Sequence, residues 1–125
     1  MKIAVIIVRV LLGALFLFAS VAFFLQLFPQ PEMQGNMKLF NEGIAASGYI
    51  MQLVKAIELV VGLAFLSGFF VPLATAVIFP ISVNILLVHA FLDPKGLPVA
   101  IFVIAANLFL AYYYRDKYKN VFDIK

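Results

Sequence analysis

The chain has 125 residues, of which 66% are hydrophobic and 12% charged, with a mean hydropathy of +1.12. Soluble domains average ~45–50% apolar, and one this small exposes too much surface to hide the excess from water. The net charge of +3 is spread thinly, which argues against a nucleic-acid footprint, and the lack of Cys excludes disulfides, thiolate catalysis, iron–sulfur clusters and cysteine zinc sites within the chain.

The first apolar segment covers residues 3–28 and is interrupted only by Arg9, Ser20 and Gln26. A helix needs about 20 apolar residues to cross ~30 Å of hydrocarbon, so this segment is long enough to span. Pro29 and Pro31 end it, because proline lacks the amide donor and clashes with the preceding turn. A signal peptide is the alternative, given Lys2 and the cleavage-like Ser20-Val21-Ala22; Arg9 inside the apolar region speaks against it.

The connection that follows is long. Within it Met33, Met37, Phe40 and Ile44 recur at helical spacing, while Lys38, Asn41 and Glu42 face elsewhere. The spacing fits a short amphipathic helix at the membrane surface, with an irregular loop as the alternative. Further apolar segments cover residues 49–71, 72–92 and 97–114. Ser67-Gly68 and Pro72 mark a tight turn between the second and third, and Asp93-Pro94-Lys95-Gly96 marks one between the third and fourth. Such short links make neighbouring helices antiparallel. Tyr112, Tyr113 and Tyr114 close the last segment as an interfacial aromatic belt. The expected fold is an all-α integral membrane protein: one domain over residues 1–125, an antiparallel bundle of four transmembrane helices with a short interfacial helix in the first loop.

An even number of spans puts both chain ends on one side. That side holds Lys2, Arg9, Arg115, Lys117, Lys119 and Lys125, against Lys38, Lys55 and Lys95 on the other. The bias predicts cytoplasmic ends.

Ionisable groups inside a membrane cost roughly 2.5–3.5 kcal/mol at its centre on insertion scales, so each needs a partner or a task. At ~1.5 Å per residue, Glu58 lies ~13 Å, Asn84 ~12 Å and His89 ~5 Å below the outer boundary, with Lys55 between them. With Gln26 they form the candidate polar or ligand site: Gln26, Lys55, Glu58, Asn84 and His89. Arg9 and Asn107 fall at ~9–10 Å from the inner boundary and are expected to pair there. Gln52, Lys55, Glu58 and Gly62 share a helical stripe, as do Arg9, Gly13, Phe16 and Ser20; Gly13, Gly62 and Gly68 are expected to serve helix packing. Pro80 frees the carbonyl of Ala76 within the third span. Plainer readings stand beside these. Arg9 snorkels to headgroups, Lys55 and Glu58 neutralise each other at i, i+3, His89 is a hydrogen-bonded interfacial side chain, and the two amides are interhelical glue. One histidine supplies neither bis-His haem ligation nor a metal site.

Walker loops, dinucleotide fingerprints, nucleophile elbows and triad spacings are all missing, so catalysis by this chain alone is not expected. Arg9-Val10-Leu11-Leu12-Gly13-Ala14-Leu15-Phe16 resembles the opening of the DoxX family. The stretch from Lys55 through Glu58 and Gly62 to Gly68 resembles the family's second helix. Pro72, Asn84 and His89 in the third span, and Tyr114-Arg115-Asp116 after the fourth, fit one branch of it. The resemblance covers nearly the whole chain. It departs late in the first helix, where relatives often carry Gly and then Lys and this chain has Ser20 and Phe23.

The resemblance implies a small bacterial inner-membrane protein, an accessory subunit of a quinone-linked redox complex, with a bound quinone and a membrane oxidoreductase as expected companions. Arg9, Gly13, Glu58, Gly62, Asn84 and His89 are the positions that match the family pattern. The other readings are a small transport or proton-conducting protein, in which Glu58 titrates and Lys55 tunes it, and a membrane-protein assembly factor with no small ligand.

Overall fold

The computed structural model describes residues 2–27 and 34–121. They form α1 (Lys2–Leu25), α2 (Gly35–Ser47), α3 (Ile50–Ser67), α4 (Val71–Phe91) and α5 (Leu97–Tyr113), with short 3-10 turns at Pro94–Gly96 and Arg115–Tyr118. α1, α3, α4 and α5 (the last with its preceding turn) are long and apolar enough to cross a membrane. At ~1.5 Å per residue the 18-residue α3 reaches ~27 Å and the 24-residue α1 ~36 Å, against ~30 Å of hydrocarbon. Large apolar side chains stand exposed on all four, including Ile3, Phe18, Leu63, Leu73, Leu87 and Ile101. A coat of that kind is suited to lipid and not to water. The chain is an all-α, multi-pass membrane protein whose spanning helices form the expected bundle.

The helix ends have local causes. α1 stops at Leu25 because Gln26 adopts a left-handed φ of 52°. The amides of Gln26 and Leu27 then bond back to the carbonyls of Phe23 and Ala22, the paired closure of a Schellman end. The helix therefore finishes three residues short of the expected Phe28; Phe28, Pro29, Pro31 and Met33 lie outside the described residues. α2 occupies the long connection, as the spacing of Met37, Phe40 and Ile44 suggested. Ser47 joins it to α3: its hydroxyl donates to the Ile44 carbonyl at 2.6 Å and accepts from the Tyr49 and Ile50 amides at 3.3 and 3.1 Å. α4 runs unbroken through Pro80.

Around the bundle α1 packs on α3, α3 on α4, α4 on α5 and α5 on α1. α1 and α3 cross antiparallel at two glycines. A Cβ on Gly62 would lie 2.9 Å from the Leu17 amide nitrogen and 3.0 Å from the Gly13 carbonyl oxygen, and one on Gly13 would lie 2.8 Å from the Phe65 Cβ. Only hydrogen at these positions lets the two backbones touch. Leu12, Phe16, Phe65, Ile78, Val103 and Leu110 fill the centre.

One end of the bundle, here the basic end, gathers the start of α1, the α3–α4 turn and the 115–118 turn. Tyr118 Oη donates to the Pro72 carbonyl there at 2.5 Å. Arg9 lies beside Gly68, which ends α3 at φ 84° and leaves no room for a Cβ under the guanidinium. The positive charge thus sits at the negative end of the α3 dipole.

Candidate functional site

α3 packs on both α2 and α4, but the three helices do not close fully. They surround a cleft of about 360 Å³ at the end of the bundle opposite the basic one. α2 contributes Met37, Phe40, Asn41 and Ile44; α3 contributes Met51, Val54, Lys55 and Glu58; α4 contributes Pro80, Asn84, Ile85 and His89. Lys55, Glu58, Asn84 and His89, placed at neighbouring depths by the sequence, therefore share one cleft.

Their states differ. Glu58 is 4% exposed, and its Oε2 lies 3.2 Å from Lys55 Nζ, one turn back on the same helix. The i, i+3 spacing alone brings the pair together. Lys55 keeps more exposure than its partner. His89 Nδ1–H donates to the Ile85 carbonyl at 2.7 Å, which in the neutral ring leaves the lone pair on Nε2. That edge of the ring lies on Gly96, where a Cβ would come within 2.5 Å of Nε2. Gly96 thereby ties the α4–α5 turn to the cleft wall. Asn84 is exposed on α4 and has no hydrogen-bond partner among the described residues. Chemically, the cleft offers an apolar slot with a thioether and aromatic wall, a buried carboxylate paired with a half-buried lysine, and an open amide.

Two expected assignments do not hold. Gln26 is exposed and closes the end of α1, and it is not among the residues lining the cleft. Its left-handed backbone is the reason, since a helix closed by the Schellman bonds turns this residue away from the α1 stripe. Arg9 and Asn107 do not pair either. Asn107 is fully buried against α4: its Oδ1 accepts from Ser82 Oγ at 2.7 Å, and its Nδ2 donates to the Thr75 carbonyl at 3.2 Å. Depth along the membrane matched Arg9 to Asn107, but α5 turns the amide toward α4. Thr75 and Ser82 stand seven residues apart, two helical turns on one face, and that spacing was the available signal for a partner. Arg9 instead lies at the end of α3, with its Nε buried and unbonded.

Sequence reasoning also missed the wall formed by α2. Its apolar face was legible, but membrane burial and cleft closure require the same pattern. Comparison with protein-family models, curated proteins and solved structures gives no match.

Proposed function

We propose that this chain is a non-catalytic membrane subunit that holds a small ring-bearing amphiphile of the quinone class between α2, α3 and α4. The cleft itself carries the reading: a ring beside Glu58 and His89 needs an opening of this kind, whereas an assembly factor needs none. The slot is apolar where a hydrocarbon tail would lie, and Lys55, Asn84 and the Glu58 carboxylate offer donors and an acceptor to ring oxygens. Pockets of ~300–1,000 Å³ with a few convergent polar groups are the usual form of small-molecule sites.

The resemblance to DoxX proteins supplies the rest of the proposal: a bacterial cytoplasmic membrane, a membrane oxidoreductase as partner, and both chain ends inside, in keeping with the excess of cations there. Transport draws less support. In the second buried polar group, Ser82 donates to an amide oxygen and Asn107 to a backbone carbonyl. Such acceptors end a proton path and do not relay it.

The test is gentle purification of the full chain from native membranes, followed by mass spectrometry of the proteins and of the lipid extract. A redox enzyme and stoichiometric quinone are expected with the native chain, and loss of the quinone with Glu58→Gln. Glu42→Gln serves as the control, because its partner Lys38 lies 3.9 Å away on the exposed face of α2. Recovery of neither companion overturns the proposal.

A further inference from the structure

Where α5 gives way to the 115–118 turn, the chain folds back across the start of α4 and is held by the Tyr118–Pro72 hydrogen bond. The fold-back leaves a groove of about 640 Å³ between α4 and α5, floored by the turn. Its walls are apolar: Leu73, Ala76 and Phe79 from α4, Leu108 and Ala111 from α5. The two alanines keep it open, since larger side chains there would fill it. Of its polar lining, Thr75 is satisfied by the Val71 carbonyl at 2.7 Å, and Tyr118 by Pro72. Lys117 is left.

The neighbouring cations are committed elsewhere. Arg115 donates to the Tyr112 carbonyl at 2.8 Å and lies over the Tyr112 ring at 4.2 Å. Lys119 lies 3.6 Å from Asp116. Lys117 is exposed, lines the groove at its basic end and makes no ion pair among the described residues. A slot that is apolar along its length and cationic where it meets water matches one acyl chain beneath one anionic headgroup.

We propose that this groove retains a phospholipid with a net anionic headgroup, its acyl chain along α4 and α5 and its phosphate against Lys117. The site lies at the other end of the bundle from the quinone-class cleft and does not depend on it. A basic side chain near the bilayer surface favours anionic lipid about fivefold. A zwitterionic lipid fills the same slot but gains less from the charge.

Native mass spectrometry of the full chain in mild detergent, titrated with phosphatidylglycerol or phosphatidylcholine, tests this. The native chain should retain phosphatidylglycerol about fivefold better. Lys117→Gln should remove most of that preference and Lys119→Gln should keep it. Ala111→Phe, which fills the groove, should lower retention of both lipids. Thermal unfolding of each variant separates lost binding from lost folding. Absence of preference in the native chain overturns the proposal, as does preference that survives Lys117→Gln. Equal loss in both lysine variants also overturns it, because that is the behaviour of a diffuse basic surface.

Discussion

Of the four seams of the bundle, two are closed by backbone contact or side-chain hydrogen bonds and one opens into a cleft. α1 meets α3 backbone to backbone at Gly13 and Gly62, and α4 is bonded to α5 through Ser82, Asn107 and Thr75. α3 and α4 are joined by a short turn, yet spread far enough beyond it to admit the cleft and the side chains of α2. Polar groups follow the same division. Asn107 is fully buried with both side-chain polar atoms bonded, whereas Asn84 has no partner among the described residues and Glu58 shares a cleft wall with Lys55. Between membrane helices, hydrophobic burial gives little drive, because lipid is as apolar as the core. Seams are sealed by close backbone approach and by satisfied polar groups. Beyond the α3–α4 turn neither device is present among the described residues, and the cleft opens there.

The α1–α3 seam offers the largest way to break that contrast. Gly62→Val would drive a branched side chain into the Leu17 and Gly13 backbone, which has no rotamer to move. Overpacking of this kind costs about 3 kcal/mol. Reversible unfolding in mixed micelles should register it, and a loss below about 1 kcal/mol would mean that the glycine crossing does not hold the seam. Next in size, Asn107→Leu removes both bonds to α4. Interhelical hydrogen bonds in membranes contribute about 1–2 kcal/mol in model peptides, and the loss should fall in that range. Ser82 can then bond back to its own helix, which limits the damage. Quinone-class binding should be unchanged in this variant, since the bond lies outside the cleft.

Glu58→Gln is the converse. The shape is kept, and Lys55, freed of its partner, can extend its stem toward water. Stability should change by less than about 1 kcal/mol, while ligand affinity falls roughly tenfold, the worth of one charged hydrogen bond. Equilibrium binding of a quinone analogue and unfolding of the same preparation check both halves. If stability falls and affinity does not, the open seam is structural after all.

The spans were legible because their signals are local. Apolar runs of about 20 residues and breaks at Gly68, Pro72 and Pro94 need no knowledge of the rest of the chain. The Lys55–Glu58 pair was legible for the same reason, being one turn apart. Depth along a helix also follows from residue number, which put Asn84 level with Glu58 and His89 nearer the boundary in the same half. Azimuth did not follow. A helix surrounded by lipid on one side and apolar core on the other carries no stripe to orient it, and α5, with Val103 and Leu110 inward and Ile101 and Leu108 outward, is such a helix. Asn107 was therefore matched to the right level and the wrong neighbour. Gln26 was misread for another reason: its role comes from a backbone angle, and glutamine is not a residue that announces a left-handed turn.

The smallest expected effect sharpens the sealed side at its basic end. Burial pushes the Tyr118 phenol above its ordinary value; the nearby Thr75 hydroxyl acts against this, and neighbouring Tyr114 adds to it. The neutral form is also the one that can donate to Pro72. An acid whose folded pKa exceeds its unfolded value contributes stability that is complete below the unfolded value, ~10 for a phenol, and is lost as pH rises through the folded one. Docking of the 115–118 turn on α4 should therefore be unchanged at neutral pH and weaken only in strong alkali, with the phenol titrating later than that of an exposed tyrosine. Tyr118→Phe should remove this alkaline step while leaving the α1–α3 and α3–α4 seams as they are. Ultraviolet titration of the tyrosines, with hydrogen exchange of the amides around Pro72, reads both effects. A step that persists in Tyr118→Phe would place the alkaline sensitivity elsewhere on the bundle and leave the turn without its anchor.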